Sequence, residues 1–336
     1  MRNAHLLIAT LIAASGMAGL AFLSYEGDLR RARDEAIRGS VIAMTAAGPI
    51  EYGRSGAGIP LLSIHGAGGG YDQGLNATDF LGKGYAVIAP SRFGYLRTPI
   101  PQDTSPAAQA DAHAALLSEL NVSEAIVVGV SAGATSAVEF ALRHPGRLSA
   151  LILVVPGTYS PTNPVAIEES RGSQLAFWLV NNGADFAWWA AEKFAPSTLI
   201  RFVGVPPDVV WASPKAEQDR IMRIVRSIQP LSLRFPGINI DSNPDLGPLP
   251  LEKISVPTLI ISARDDLFNT LPAAEFAAGK IPNSTLVVYD TGGHLLVNRT
   301  DEVRDVVERF LSSAGLAPLP SQASGSASTR TVSTGR

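Results

Sequence analysis

Residues 125–137, AIVVGVSAGATSA, constrain this chain more tightly than any other stretch. The β-branched run Ile126-Val127-Val128 predicts a buried strand over 125–130, and the small residues beyond it predict a helix from 132. Between the two stands Ser131, flanked by Gly129 and Gly133. A strand that passes directly into a helix must turn sharply. Side chains at the flanking positions would strike the neighbouring elements, so glycine is needed there. The turn lifts the serine hydroxyl out of the sheet at a helix N-terminus, where backbone N–H groups and the dipole favour negative charge. Gly-x-Ser-x-Gly alone is a weak signal; in this strand-to-helix setting Ser131 is expected to be a nucleophile.

A serine hydroxyl needs a base. The chain has five histidines: His5, His65, His113, His144 and His294. His5 lies in the apolar N-terminal run, His113 inside a predicted helix, His144 at a helix end, and His65 at the end of a core strand. His294, in YDTGGHLLVNR, remains: it sits directly after the last predicted strand, where Gly292-Gly293 let the loop bend tightly. The imidazole then needs a carboxylate to fix its tautomer. PTLIISARDDLFNT places Asp265 and Asp266 at the carboxyl end of a buried strand, where sites of open α/β sheets gather. One of the two is the expected orienter and the other a solvated turn residue beside Arg264. Asp290, the first residue of the histidine's own loop, ranks behind them. SIHGAGGGYDQG lacks the Gly-Lys-Ser/Thr of a phosphate loop and the third glycine of a dinucleotide fingerprint. Its bare backbone can instead donate to an oxyanion, with an amide around Ala67 and that of Ala132 forming a two-donor hole.

The rest of the chain supplies a scaffold for such a site. Strands are predicted at 41–45, 49–53, 60–65, 85–90, 125–130, 149–155, 256–262 and 284–289, with helices at 105–120, 132–144, 270–280 and 300–314. The later strands are continuous apolar runs, as expected where both faces of a parallel sheet are covered. This alternation gives an α/β domain with a mainly parallel, eight-stranded sheet and helices on both faces. Residues 157–247 break the rhythm and carry all four tryptophans (Trp178, Trp188, Trp189, Trp211) with Phe177, Phe186, Phe194 and Phe202. They are expected to form a helical insertion over the sheet's carboxyl edge, most of the aromatics making its own core. The core then divides into 39–156 and 248–315, and 316–336 is a Ser/Thr/Gly/Ala-rich disordered tail.

Composition excludes several classes. The 27 Lys+Arg and 30 Asp+Glu leave a net charge of -3 with no basic block for nucleic acid. With no cysteine and no paired histidines, thiolate and zinc sites are not expected, nor is any cofactor. Leu6 to Leu23 carry no charge over 18 residues, longer than a usual signal-peptide core and slightly short of a full span. Residues 1–38 are accordingly expected to be an uncleaved membrane anchor, ahead of a cleaved signal, with a charged stalk over 24–38. The arginine distribution and the short amino end give conflicting orientations.

HGAGGG, APSRFGY, GVSAG, PTLIISARDD and GGH, in this order, make the chain resemble the capped lipase/esterase-like branch of the α/β-hydrolase superfamily over about residues 45–315. The resemblance favours Asp266 over Asp265, as the fourth residue of a small-x-x-Asp turn, and Ala67 as the first oxyanion donor. It assigns Arg92 no catalytic role, because the acidic residue usual two positions before it is replaced by Pro90. A serine at the elbow argues against the dehalogenase and epoxide-hydrolase branches, which carry aspartate. What the resemblance implies is hydrolysis of an ester of a small, largely apolar substrate through an acyl-serine. Hydrolysis of C–C bonds in ring-cleavage products, haloperoxidase or perhydrolase chemistry, and a non-catalytic binding role remain open.

Overall fold

The structure, a computed structural model, describes residues 2–78, 81, 83–162, 184–242 and 246–318. All eight predicted strands form, at Ser40–Thr45 (β1), Gly48–Gly56 (β2), Gly58–Ile64 (β3), Gly84–Pro90 (β4), Ala125–Val130 (β5), Leu148–Val154 (β6), Thr258–Ala263 (β7) and Ser284–Tyr289 (β8). They make one sheet in the order β1-β2-β4-β3-β5-β6-β7-β8. The pairs β1–β2 and β2–β4 are antiparallel and the others parallel. From β3 the chain crosses to β4 on one side and then returns to β5 on the other. The loops after β3 and β5 therefore diverge at a topological switch point, the usual place for a site in an open sheet. β3 carries the glycine-rich loop and β5 carries Ser131.

Alternation along the strands feeds two cores. Leu62, Ile64, Val127, Leu151, Leu153 and Ile260 meet the helices Pro106–Glu119 (α3), Gly133–Arg143 (α4) and Leu271–Lys280 (α10). Leu61, Ile126, Val128, Ile152, Leu259 and Ile261 face the opposite side, against Val303, Val307 and Leu311 of the helix Thr300–Ser313 (α11). Burial on both faces explains why these strands read as unbroken apolar runs. The start of α3 is as its sequence predicts: Ser105 Oγ accepts the Ala108 N–H at 3.1 Å, with Pro106 in the first turn.

Between β6 and β7 the described residues form Asp185–Phe194 (α5), Pro196–Phe202 (α6), Pro207–Trp211 (α7), Lys215–Ser227 (α8) and Leu231–Asp241 (α9). Phe177 and Trp178 lie outside the described residues, as does the tail from 319. Trp188 is buried among these helices and its indole N–H donates to the Val225 carbonyl at 3.1 Å. Phe194 stays exposed.

Trp189 does something the sequence does not announce: it holds the N-terminal helix. Arg2–Ile37 is one continuous helix (α1), and its second half packs on α5. Tyr25 meets Phe186 and Trp189 edge-on at 5.2 and 5.8 Å, and Trp189 Nε1 donates to Asp28 Oδ2 at 2.8 Å. The Tyr71 hydroxyl, from the helix Tyr71–Asn76 (α2), donates to the Glu35 carbonyl at 3.3 Å and also to that of Arg38. The expectation of a membrane-spanning anchor within residues 1–38, on which the membrane-associated localisation rested, is corrected by this helix. Among the described residues no helix is long and apolar enough to cross a membrane. The apolar run stops at Leu23, short of the roughly 20 residues a span needs. The helix then continues into charged turns that dock on the body, so the expected stalk is part of the fold.

One core histidine sets a pH response. His113 is fully buried on α3, its Nε2 is 3.3 Å from Ser136 Oγ, and its Nδ1 has no partner among the described residues. Burial, reinforced by the Arg92 charge, pushes it down to about 3. An unfolded histidine protonates near 6.5, so between that pH and about 3 the unfolded chain binds one more proton here. Stability at this residue is therefore full above pH 6.5 and falls by about 1.4 kcal/mol for each pH unit below it. In urea unfolding, His113→Gln should narrow the difference in stability between pH 7 and pH 5 by about 2 kcal/mol. An unchanged difference would count against a neutral His113.

Candidate active site

Ser131 sits in the turn between β5 and α4 with φ +51°, a left-handed conformation that serine rarely adopts. Three backbone bonds hold it there. Its N–H donates to Val154 O at 2.9 Å, and its carbonyl accepts from Ala134 N and Gly157 N, both at 3.0 Å. The flanking glycines have the expected reason. A Cβ on Gly129 would lie 2.6 Å from Ala137 Cβ, and one on Gly133 would run into the carbonyl oxygens of Ile64 and His65. The glycine-rich loop passes just as close on the other side, since a Cβ on Gly66 would be 2.9 Å from Ser131 Cβ.

His294 reaches the serine across 163 positions of sequence. Its Nε2 lies 2.8 Å from Ser131 Oγ and its Nδ1 lies 2.8 Å from Asp266 Oδ2. With the carboxylate accepting from Nδ1–H, the Nε2 lone pair faces the hydroxyl, the tautomer a general base requires. Asp266 is buried, and burial by itself raises its carboxyl. The facing His294 ring, the Thr270 hydroxyl and the Phe268 amide outweigh burial and hold it below the ordinary carboxylate range. Asp266 is thus the carboxylate that the structure brings to the histidine. Asp290 is exposed and pairs with Arg264 at 3.2 Å.

Asp265 is not the solvated turn residue expected from sequence. Its two oxygens accept the Gly292 and Gly293 amides at 3.1 and 2.7 Å. Adjacent aspartates therefore serve the same histidine, one holding the ring and the other its loop.

Sequence reasoning missed a second holder, Gly204 in the turn after α6. Its carbonyl accepts both the His294 N–H and the Leu267 N–H at 3.1 Å, tying together the loops of the base and the acid. Gly204 has φ +79°, and a Cβ there would stand 2.6 Å from His294 Cβ and 2.7 Å from the Phe268 ring. Phe268 itself packs edge-on against the imidazole at 4.7 Å. A glycine in so varied a segment carries no signal until the fold brings it against the histidine.

Ala67 and Ala132, the expected oxyanion donors, lie in the two loops that meet at Ser131. Ala67 follows Gly66 in the loop, Ala132 begins the turn into α4, and neither amide has an acceptor among the described residues. The loop around Ala67 is otherwise committed. His65 is fully buried, and burial together with the Arg92 charge pushes it well below its usual value. Neutral His65 accepts the Arg92 N–H at Nε2 (3.0 Å), and its Nδ1–H donates to Gly66 O at 2.7 Å. Arg92, assigned no catalytic role, is a strut. Its Nε donates to His65 O at 2.9 Å, and its two terminal nitrogens meet Asp241 at 2.7 and 2.6 Å. Among the described residues no cluster of His, Asp or Glu is arranged to hold a metal.

The sequence model of the alpha/beta hydrolase fold matches residues 59–297, more than half of the chain, and this protein belongs to that family. An uncharacterized hydrolase of Bacillus subtilis is 34% identical over 128 residues, which is 38% of this chain and 45% of that protein. Matches to other relatives extend further. A 2-hydroxy-6-oxo-6-phenylhexa-2,4-dienoate hydrolase of Comamonas testosteroni is 25% identical over 73% of this chain and 84% of its own. Lipase 3 of a Moraxella species is 26% identical over 75% of this chain and 76% of its own. The solved alpha/beta hydrolase fold protein of Nakamurella multipartita superposes with a TM-score of 0.66 and 27% identity, over 82% of this chain and 99% of that one. The chain is a hydrolase of this fold.

Gly204→Ala should press a methyl group into His294 in a conformation alanine disfavours, costing on the order of 2 kcal/mol. Calorimetry that finds the variant as stable as the parent would show that this contact does not constrain the histidine loop.

Proposed function

We propose that this chain is a serine hydrolase that cleaves carboxylic esters of small, largely apolar substrates. One observation supports it above all: Ser131, His294 and Asp266 form an unbroken hydrogen-bonded relay with 2.8 Å at each step. Ser131 Oγ attacks the ester carbonyl while His294 Nε2 takes its proton. The Ala67 and Ala132 amides receive the developing oxyanion, and Asp266 stabilises the imidazolium. The imidazolium returns the proton to the leaving alcohol, giving an acyl-serine. Water, deprotonated by the same histidine, then releases the acid and restores Ser131.

The alternative is cleavage of a C–C bond, as in the name of the Comamonas relative, by the same residues. Its substrate is a dienoate anion, which calls for a cation. The two arginines that approach the glycine-rich loop, Arg92 and Arg234, are already paired with Asp241 and Asp72, leaving neither free for such a group. That favours a neutral ester, the reading to which the lipase relative also leans.

Ser131→Ala should abolish both turnover of p-nitrophenyl esters and labelling by a fluorophosphonate. Labelling that persists would remove Ser131 from the mechanism. A panel of esters, lactones and ring-cleavage dienoates separates the two readings, and faster turnover of a dienoate would favour the second. Asp266→Asn leaves the ring without its proper orienter and should lower kcat by about 10⁴-fold. Asp265→Asn keeps one acceptor for the loop amides and should cost far less; the reverse ranking would exchange their roles.

A further inference from the structure

We infer that Arg234, on the inserted helix α9, is a positioning residue that sets the glycine-rich loop so that the Ala67 amide stays free beside Ser131. The inference rests on the serine-hydrolase reading and deepens it.

Arg234 is the largest fully buried side chain among the described residues, at 1% exposure. One terminal nitrogen donates to the Gly69 carbonyl at 2.6 Å and to Asp72 Oδ1 at 3.1 Å; the other donates to Asp72 Oδ2 at 2.7 Å. Seven positions on, two turns along the same face of the helix, Asp241 completes the grip. It holds Arg92, which donates to His65 O, and it accepts the Tyr95 hydroxyl, whose oxygen accepts the Gly68 N–H at 3.2 Å. Gln73 adds a bond to Gly68 O at 3.3 Å. Peptide groups on both sides of Ala67 are therefore fixed, and its amide is left without an acceptor.

Stability alone gives no reason for an arginine here. Removing a guanidinium and its carboxylate partner from water is costly, and replacing such a pair as a whole by apolar side chains of similar volume is often as stable or more so. The cost is sharpened by Arg234 Nε, which is buried without a partner among the described residues. Arginine does offer a planar fork that grips a carbonyl and a carboxylate together, which neither lysine nor methionine reproduces. The fork spans the end of the glycine-rich loop and the first turn of α2. An oxyanion donor works only where it is held in place beforehand, and a displacement of 1 Å can cost about 10²-fold in rate.

The test compares Arg234→Met, Arg234→Lys and Asp72→Asn with the wild type on a p-nitrophenyl ester, alongside the affinity of a boronic acid that adds to the serine and thermal melting. Arg234→Met should lower kcat by about 10²-fold with KM little changed. Boronic acid affinity should fall in proportion; melting should drop by a few degrees, because Asp72 and the Gly69 carbonyl lose their partner, and Arg234→Lys should recover that melting more fully than it recovers kcat. Arg234→Lys keeps the charge and loses the fork, so it should fall between. Should Arg234→Met fail to fold, Asp72→Asn weakens the same clamp in a folded protein and should show the same paired loss. Folded variants with wild-type kcat would overturn the inference, as would a loss of kcat with boronic acid affinity intact. A wild type inactive on every ester and dienoate refutes the proposed serine-hydrolase function on which this inference rests, a different result from active variants of an active enzyme.

Discussion

The compression of the backbone at Ser131 is what the rest of the molecule is arranged around. A serine at φ +51° costs about 1–3 kcal/mol relative to relaxed backbone. It persists because both sides of the turn are bound: the Ser131 N–H to β6, and its carbonyl to α4 and to the segment leaving β6. With Gly66, Gly129 and Gly133 lacking side chains, β3, β5 and α4 close on the serine until only its hydroxyl stands clear. The burial of β5 on both faces supplies the stability that absorbs this strain.

The inserted helices brace the loops at the carboxyl end of the sheet. The three side chains of the relay come from loops at the carboxyl ends of β5, β7 and β8, but the loops are held from outside the sheet. Gly204 joins the Asp266 and His294 loops through a single carbonyl, and α9 reaches the glycine-rich loop through Arg234 and Asp241. The insertion also receives α1 through Trp189. A segment whose composition suggests a helical insertion packed on its own aromatics is thus a truss that connects these loops to one another and to the N-terminal helix.

Legibility in the sequence followed the range of the interactions concerned. Strands buried on both faces, the Ser105 cap and the glycine clearance at the elbow are local, and each was readable from neighbouring residues. His294 could be reached by elimination, because few histidines lay where a loop could offer them. Asp265 defeated the same reasoning. Beside an exposed arginine it resembles a turn residue, and only the approach of the Gly292-Gly293 peptide reveals its partner. The N-terminal apolar run misled for a related reason. Hydropathy measures what a helix would lose in water, and says nothing about whether a partner such as α5 covers the turns that follow.

By itself the sequence determined the layered α/β architecture, the strand-to-helix turn that carries Ser131 and the α/β-hydrolase family. Those follow from periodicity, steric clearance at glycine and the few residue types able to move a proton. Tertiary structure alone decided which aspartate faces the imidazole, that Gly204 and Arg234 bind loops far from them in the chain, and that the second half of α1 packs on the body. Each of those depends on contacts between segments many residues apart, and the distance between two such segments is not encoded in the residues on either side of them.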